Sequence, residues 1–394
     1  MVSRKEKAAR VELAALPGVG PKVYRCLVEA FGGAREALAA GPDRWRALRI
    51  FAAAASEGGR AEPKGRRRGA PAGRRTGEEL LGVAEELGWT VLTWGEEGYP
   101  PLLLHTPEPP PVLYLRGSMV RDDWRAIAVV GTRRASAYGR YQAERLAGEL
   151  AAEGLTVVSG LARGIDETAH RGALEAGGRT LAVLGCGPDR VYPPENAPLA
   201  EEIAESGAVL TEFPPGTPPL PGNFLWRNRV IAGLALGTVV VEAGERSGAL
   251  NTAFHANDAG REVFAVPGEV GRPGSAGCHL LLRLGATLLE HGGQVKESLA
   301  HLLVPGLSFG PVWRRGPIAA ADWRSTEAGE EGGEEGGALA GKLRHALREA
   351  PARVEELASR AGFPVSAVAA QLVLWELEGK VRGYADGRVA LVPR

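Results

Sequence analysis

Short apolar runs alternate with amphipathic segments through the middle of the chain, and this alternation most constrains the fold. Short runs rich in β-branched residues and bounded by small residues are typical of strands buried on both faces of a parallel sheet. Their alternation with amphipathic segments predicts an α/β fold with a doubly wound parallel sheet. The predicted strands are 126–130, 156–159, 180–184, 207–211, 238–242 and 262–265, and the predicted helices are 139–153, 165–176, 199–206, 229–236, 249–259 and 279–284.

The composition excludes several classes of protein. The 394 residues carry no net formal charge, so any affinity for nucleic acid has to come from a local patch. The three cysteines are widely spaced, which favours a reducing cytoplasm and argues against disulfides or a zinc site. The chain shows neither a secretory signal nor an apolar stretch that could span a bilayer. We therefore expect a cytoplasmic protein with no metal and no membrane partner.

The chain divides into five predicted segments. In residues 1–55, Pro-Gly-Val-Gly separates two amphipathic segments, which is typical of a helix-hairpin-helix or of an ordinary helical hairpin. In the first case, backbone N–H groups and Lys22 would hold a DNA phosphate. Residues 56–76 are rich in Gly, Pro and Arg and form a basic linker, which either attracts nucleic acid or only separates domains.

The main domain covers residues 77–305, and residues 89–117 are expected to extend its sheet at one edge. Residues 306–337 form an acidic, Gly-rich linker. Residues 338–394 predict three helices and a β-hairpin turning at Asp386-Gly387, the order of a winged helix. The third of these helices is poor in Arg, Asn and Gln, so a protein contact or a structural role is at least as well supported as base recognition.

Small residues and arginines follow several of the predicted strands. Ligands of open α/β sheets bind beyond the carboxyl ends of the strands, so we expect these residues to line one crevice. Arginine presents a planar fork of donors that suits phosphate, although each arginine taken alone could instead form a surface ion pair. The predicted phosphate-binding residues are Gly131, Arg133, Ser136, Gly139, Ser159, Gly160, Arg163, Gly164, Arg227, Asn228, Arg229, Ser247 and Gly248.

Aromatic side chains decide whether such a crevice suits unpaired bases. Trp226 lies between the arginine motifs and is a candidate for stacking on a base. The alternative is that Phe224 and Trp226 fill the core beside Leu225.

The chemistry at the strand ends favours binding over catalysis. No G-x-G-x-x-G and no Walker lysine motif is present, so we expect no cofactor. The candidate catalytic residues are Asp166, His170, Glu212 and Glu242. Asp166 and His170 share a helix face but are better explained as structural, and Glu242 could hold Arg227 or Arg229 in place. Since no third member of a nucleophilic triad is evident, the sequence does not predict an enzyme.

Several long motifs carry a family resemblance that covers about residues 95–290. They are AVVGTRRASAYG, VVSGLARGIDETAH, TLAVLGCGPDRVYPPEN, WRNRVIAGLA, VVVEAGERSGALNTA and GREVFAVPGEV. In these motifs the chain resembles the DNA-processing protein A (DprA/Smf) family, and its two ends resemble that family's accessory domains. The resemblance implies an extended Rossmann-like domain that binds incoming single-stranded DNA during natural transformation. It also implies loading of a RecA-type recombinase, a homodimer, and phosphate contacts by Arg133, Arg163, Arg227 and Arg229.

The chain departs from the family pattern at two positions. Leu225 stands where the family commonly has a proline, in Phe-Pro-x-Arg-Asn-Arg, and His279 stands where an asparagine is usual. Leu225 could change the shape of the loop expected around it. His279 could remove a hydrogen bond that the asparagine makes in the family.

Two other functions remain open on the sequence. One is a Rossmann-like nucleotide hydrolase of the phosphoribohydrolase type. Such enzymes carry a Pro-Gly-Gly-x-Gly-Thr loop followed by glutamate, and the equivalent stretch of this chain, GERSGALNTA, lacks that glutamate. A sequence-specific regulator of double-stranded DNA would act through the winged helix.

Overall fold

The computed structural model describes residues 2–47 and 75–303, together with parts of the segment between 343 and 391. The chain forms two compact units, Met1–Gly316 and Pro317–Arg394. Residues 56–74 of the predicted basic linker and all of the acidic linker lie outside the described residues.

A nine-stranded mixed sheet forms the centre of the first unit. Its strands are β1 (Thr90–Thr93), β2 (Val112–Gly117), β3 (Ala126–Val130), β4 (Thr156–Ser159), β5 (Thr180–Val183), β6 (Ala208–Thr211), β7 (Gly237–Val240), β8 (Glu262–Ala265) and β9 (Thr287–Leu288). Their order in the sheet is β1-β2-β6-β5-β4-β3-β7-β8-β9. Strands β3 to β9 run parallel, while β1 and β2 join the β6 edge in antiparallel orientation.

This sheet confirms the predicted fold class. All six predicted strands are present with limits within two residues of the prediction, and residues 89–117 extend the sheet at one edge. From β3 the chain moves outward to β4 on one side and later to β7 on the other, so the topological switch point lies between β3 and β7.

The helices of the first unit cover both faces of the sheet and its β1 edge. They are α1 (Arg4–Ala15), α2 (Pro21–Phe31), α3 (Ala34–Ala47), α4 (Gly77–Glu86), α5 (Pro101–Leu104), α6 (Ala137–Ala152), α7 (Ile165–Glu175), α8 (Ala197–Ser206), α9 (Pro221–Leu234), α10 (Gly248–Asp258), α11 (Ala276–Arg283) and α12 (Gly292–Ser298). The predicted start of α9 at residue 229 is wrong, because the helix begins at Pro221. Proline at the first helical position has the φ that a helix needs and lacks only an N–H that would be unpaired there.

The core has two layers, one on each face of the parallel strands. In β3, Ile127 and Val129 pack into one apolar cluster while Ala128 and Val130 pack into the other. Because side chains alternate between the faces of a strand, burial of every β3 residue requires helices on both sides. Burying an aliphatic side chain such as Ile127 contributes about 1.5–3 kcal/mol, which fixes the strand register.

The N-terminal helices pack directly against the edge of this sheet. Ala8 and Val11 of α1 share an apolar cluster with Leu80 of α4 and Trp89. The turn between α1 and α2 contains Gly18 at φ 81°, a conformation that glycine adopts without strain. The helical hairpin is therefore present, and its DNA-binding role stays a prediction.

The described part of the second unit contains one helix and the two hairpin strands of the predicted winged helix. Strands β10 (Ala352–Arg353), β11 (Val381–Gly383) and β12 (Arg388–Leu391) form a sheet in the order β10-β12-β11, and α13 spans Val354–Ala361. β11 and β12 pair antiparallel, as a hairpin requires. The predicted turn at 386–387 lies outside the described residues.

Two kinds of feature are absent from the described residues. No helix there has the length and apolarity to cross a membrane. No group of three or more His, Cys, Asp or Glu side chains in the same residues could hold a metal ion.

Candidate nucleic-acid interface

The carboxyl ends of β3, β4 and β5 form one edge of the sheet, which we call the rim. Arg133 follows β3 and Arg163 follows β4, and both side chains are exposed. The two loops touch, because Ile165 N donates to the Thr132 carbonyl at 3.3 Å. Gly164 allows this approach: it has φ 81°, and a Cβ at this position would lie 2.6 Å from the Thr132 oxygen. The fold therefore brings Arg133 and Arg163 to the same edge.

The two exposed arginines differ in their partners. The guanidinium of Arg133 lies 5.2 Å from the ring centroid of Phe224, and none of the described carboxylates forms an ion pair with it. Arg163 forms an exposed ion pair with Glu195. The hydrogen bond to Glu195 raises the pKa of the Arg163 guanidinium, so Arg163 stays charged. At the rim, Arg133 is thus a cation without a carboxylate partner, whereas an anion that binds Arg163 would have to displace Glu195.

An aromatic pair lies beside these arginines at the start of α9. The rings of Phe224 and Tyr192 are 5.4 Å apart and tilted by 46°. Tyr192 is exposed, and Phe224 is half-buried over Gly185, where a Cβ would lie 2.7 Å from the ring. Tyr192 was missed by the sequence reasoning, although it stands in the motif TLAVLGCGPDRVYPPEN. An exposed ring next to guanidinium groups can accept the face of an unpaired base.

Arg227 lies beneath the rim. Its side chain is buried, and Nη1 donates to the carbonyl oxygens of Gly160, at 2.8 Å, and of Val183. Burial lowers the pKa of Arg227 to about 10; Asp166 opposes this shift and the charge of Arg133 adds to it. Arg227 therefore fastens the ends of β4 and β5 together, with no exposed face toward a ligand.

Arg229 is buried as well, two residues further along α9. It pairs with Glu212 and donates to the Glu108 carbonyl, and its guanidinium lies 4.4 Å from the centroid of the Trp226 ring. Trp226 Nε1 in turn donates to Glu212 Oε2 at 3.2 Å. One face of Trp226, the candidate for stacking on a base, is thus covered by an arginine of the same chain.

The expectation that Glu242 holds Arg227 or Arg229 is wrong. Glu242 accepts a hydrogen bond from Ser136 N at 2.9 Å, and the residue that holds Arg229 is Glu212. The prediction failed because β6 and β7, which end before these two carboxylates, lie on opposite sides of β3 in the sheet. Sequence distance does not show on which side of the switch point a strand is placed.

The predicted serines and asparagine hold the scaffold of the rim. Ser136 caps α6 by accepting from Gly139 N at 3.0 Å, and Ser247 caps α10. Ser159 Oγ donates to the Val129 carbonyl at 2.6 Å, inside the sheet. Asn228 Nδ2 donates to the Gly248 carbonyl at 3.1 Å, which ties α9 to α10.

Two predicted glycines leave room for buried side chains. A Cβ on Gly131 would lie 2.5 Å from Cγ1 of Ile165. At Gly160 the Cβ would lie 2.5 Å from Nη2 of Arg227. These two positions bring loop backbone close to the side chains beneath the rim.

Asp166 and His170 have separate partners. Asp166 Oδ2 accepts from Gly160 N at 3.2 Å, and burial raises the pKa of this carboxyl. His170 Nδ1 lies 2.7 Å from Thr180 Oγ1, and burial together with Arg227 lowers the pKa of His170 to about 3. A neutral, fully buried imidazole bonded to a strand hydroxyl agrees with the expected structural role.

The two departures from the family pattern have simple local consequences. Leu225 is the fifth residue of the continuous helix α9 and is exposed, so the segment expected to be a loop is helical. His279 Nε2 lies 3.0 Å from the Gly268 carbonyl oxygen, so the imidazole makes its own bond to the loop after β8.

Comparison with known proteins gives concordant matches. Residues 90–300 match the family model of DNA recombination-mediator protein A, and residues 330–387 match that of the DprA winged helix domain. Protein Smf of Escherichia coli is 37% identical over 319 residues, which cover 81% of this chain and 82% of that protein. The DNA processing protein DprA of Streptococcus pneumoniae is 42% identical over 200 residues, or 51% of this chain and 71% of that protein. An X-ray structure of the Streptococcus pneumoniae protein superposes with a TM-score of 0.60 at 29% identity, covering 75% of this chain and 98% of that one.

Proposed function

Because this chain belongs to the DNA recombination-mediator protein A (DprA/Smf) family, we propose that it binds single-stranded DNA along the rim. The strand's phosphates contact Arg133 and Arg163, and an unpaired base stacks on Tyr192, the exposed member of the aromatic pair. Arg227, Arg229 and Trp226 act one layer below, where they hold the strand ends and the start of α9 in position.

The observation that carries this proposal is the position of Arg133. It is exposed at the end of β3, beside the switch point, and its guanidinium lies over Phe224. Ligands of open α/β sheets bind at such a point, and a guanidinium fork bonds two phosphate oxygens at once. The placement of Tyr192 next to Phe224 supports single strands, since each stacked base contributes about 1–3 kcal/mol and a duplex keeps its bases covered.

We propose binding without catalysis. The described carboxylates closest to the rim each have a structural partner: Asp166 bonds Gly160 N, Glu195 pairs with Arg163, Glu212 pairs with Arg229, and Glu242 bonds Ser136 N. A general acid or base has to reach its substrate in the required protonation state, and these contacts occupy the groups that could do so.

The wider role rests on the family. We propose that the chain is a cytoplasmic protein that acts as a homodimer, protects incoming single strands during natural transformation and transfers them to a RecA-type recombinase. The rim suits this role because phosphate contacts bind any sequence, as a loader of recombinase must.

The test is the double variant Arg133→Ala/Arg163→Ala, with fluorescence anisotropy on labelled single strands at several salt concentrations. We expect affinity to fall about tenfold or more for all sequences alike. The slope of log affinity against log salt should shrink by about 0.7 for each phosphate that the variant no longer neutralises.

The matched control is Arg116→Ala/Arg125→Ala. Both arginines are ion-paired, as Arg163 is, and Arg125 is exposed while Arg116 is partly exposed. They lie at the opposite edge, near the starts of β6 and β3. This control should bind as the parent does. Equal losses in the two double variants, or none in the rim variant, would refute the rim as the binding surface. Release of free base from a nucleotide panel would instead favour the hydrolase.

A further inference from the structure

A hollow of about 600 Å³ lies beyond the carboxyl end of β7, on the other side of the switch point from the rim. We call it the β7 hollow. The residues around it that matter here are Gly244, Glu245, Arg246, Arg272 and His279. None of the contacts assigned to DNA above uses these side chains.

Hydrogen bonds hold the walls of the β7 hollow. Ala243 N donates to the Gly274 carbonyl at 2.8 Å, and Gly277 N donates to the Ala243 carbonyl at 2.7 Å. On the far side, His279 bonds to the Gly268 carbonyl. The loop between β8 and α11 is thus fastened to the end of β7 at one place and to α11 at another, so the hollow exists before any ligand binds.

The lining is cationic. None of the described carboxylates forms an ion pair with Arg246. Arg272 pairs only loosely with Glu269, at 4.0 Å between two exposed groups, and such a pair yields readily to a stronger anion. With one lining carboxylate, Glu245, against two guanidinium groups, the hollow favours a ligand with more than one negative charge.

We propose that the β7 hollow binds the phosphomonoester of a nucleotide. Volumes of about 300–1,000 Å³ are typical of sites for small ligands, so a nucleotide unit fits. A phosphomonoester carries about −1.5 to −2 charge at neutral pH and offers three oxygens, which two arginine forks can share. An internal phosphodiester carries a single charge and would gain less.

Such a group has two sources, the end of a DNA strand or a free nucleotide. Binding of a DNA end rests on the proposed function. A strand bound along the rim can place its end in the β7 hollow only if the ends of β3 and β7 form one continuous binding edge. The second does not depend on DNA binding.

The test uses the full chain and four ligands. Two are single strands of one sequence, with either a 5′-phosphate or a 5′-hydroxyl, measured by fluorescence anisotropy. The others are a nucleoside monophosphate and its nucleoside, measured by calorimetry. We expect about tenfold tighter binding of the phosphorylated member of at least one pair, equivalent to about 1.4 kcal/mol.

The variant Arg246→Ala/Arg272→Ala should abolish that preference and leave hydroxyl-ended strands bound as before. Both side chains are exposed, so folding should be unaffected, and Arg246→Lys/Arg272→Lys should keep part of the preference because charge remains without the fork. The rim variant should weaken both strands alike and leave the mononucleotide unaffected.

The outcomes separate the two proposals. A preference confined to the strands identifies a DNA end as the source, and one shown by the mononucleotide identifies free nucleotide. If the parent shows no preference within either pair, or if the alanine variant keeps it, the β7 hollow is not a phosphomonoester site. That result leaves the rim intact, whereas failure of hydroxyl-ended strands to bind the parent would refute the rim and leave the mononucleotide result standing.

Discussion

Two layers of arginine occupy the same edge of the sheet, and they contrast in almost every property except residue type. Arg133 and Arg163 are exposed, one resting on an aromatic ring and the other held by a surface carboxylate. Arg227 and Arg229 are buried beneath them and bond to backbone carbonyls and a buried glutamate. The contrast teaches that arginines of similar motifs differ in exposure, and therefore in what they can contact. The proposed function assigns ligand binding to the exposed pair and construction of the site to the buried pair.

The largest effect should come from the buried arginine that pairs with a buried carboxylate. Replacing Arg229 by Ala leaves the buried Glu212 carboxylate without its partner, so we expect a loss of about 3–5 kcal/mol in the free energy of unfolding. Denaturant unfolding followed by circular dichroism measures it. The double variant Arg229→Met/Glu212→Leu should be more stable than Arg229→Ala because it buries no unpaired charge. A single variant as stable as the parent would place Arg229 in the outer layer.

A substitution of arginine by lysine, which keeps the charge, should affect stability in the buried layer only. Arg227→Lys removes the guanidinium whose Nη1 bonds the carbonyls of Gly160 and Val183, and we expect a loss of about 1–3 kcal/mol in stability. Arg133→Lys, in the exposed layer, should unfold at the parent's denaturant concentration and bind DNA more weakly. Equal unfolding of the two lysine variants would remove the distinction.

Acid should destabilise the fold through the buried His170. The pKa of His170 in the folded chain, about 3, lies below its ordinary value of 6.5. Between these two pH values the imidazole is protonated in the unfolded chain and neutral in the folded chain. Stability from this group is present above pH 6.5 and falls as the pH drops toward 3, by at most about 1.4 kcal/mol per pH unit. Unfolding of the parent and of His170→Gln between pH 7 and pH 4 measures it. The variant should show the shallower dependence, and parallel curves would contradict a buried neutral His170.

The smallest effect sharpens the outer layer itself. Glu195→Gln frees Arg163 from its exposed ion pair, so the affinity for single strands should rise roughly two- to fivefold at low salt and less at high salt. The same change made in Arg163→Ala should have no comparable effect. A gain that survives loss of Arg163 would point to a general effect of removing negative charge.

Most of the sheet follows from the sequence because a buried parallel strand contains a short apolar run bounded by small or turn-forming residues. Strands β3, β4 and β8 begin and end at the predicted residues. The start of α9 is harder to predict from the sequence, because proline is common both in loops and at the first position of a helix, which Pro221 occupies.

The layering of the arginines could not be predicted in the same way. The backbone carbonyls and the carboxylate that Arg227 and Arg229 bond lie between 17 and 121 residues away in the sequence, so only the folded sheet brings them together. The same applies to Tyr192, which lies in the loop after β5 and contacts Phe224 of α9. Local pattern fixes which residues stand at a strand end, while long-range packing fixes which of them face solvent.

The seam between α1 and the sheet edge determines where this chain can be truncated. Lys7 Nζ donates to the Val91 carbonyl at 2.9 Å, and Arg10 Nη1 donates to that of Trp94 at 2.7 Å. A fragment beginning at residue 77 would lose these donors and uncover the apolar side chains that Ala8 and Val11 protect, which invites aggregation. A recombinant fragment of the Rossmann-like domain that is to remain soluble must therefore retain the first helix.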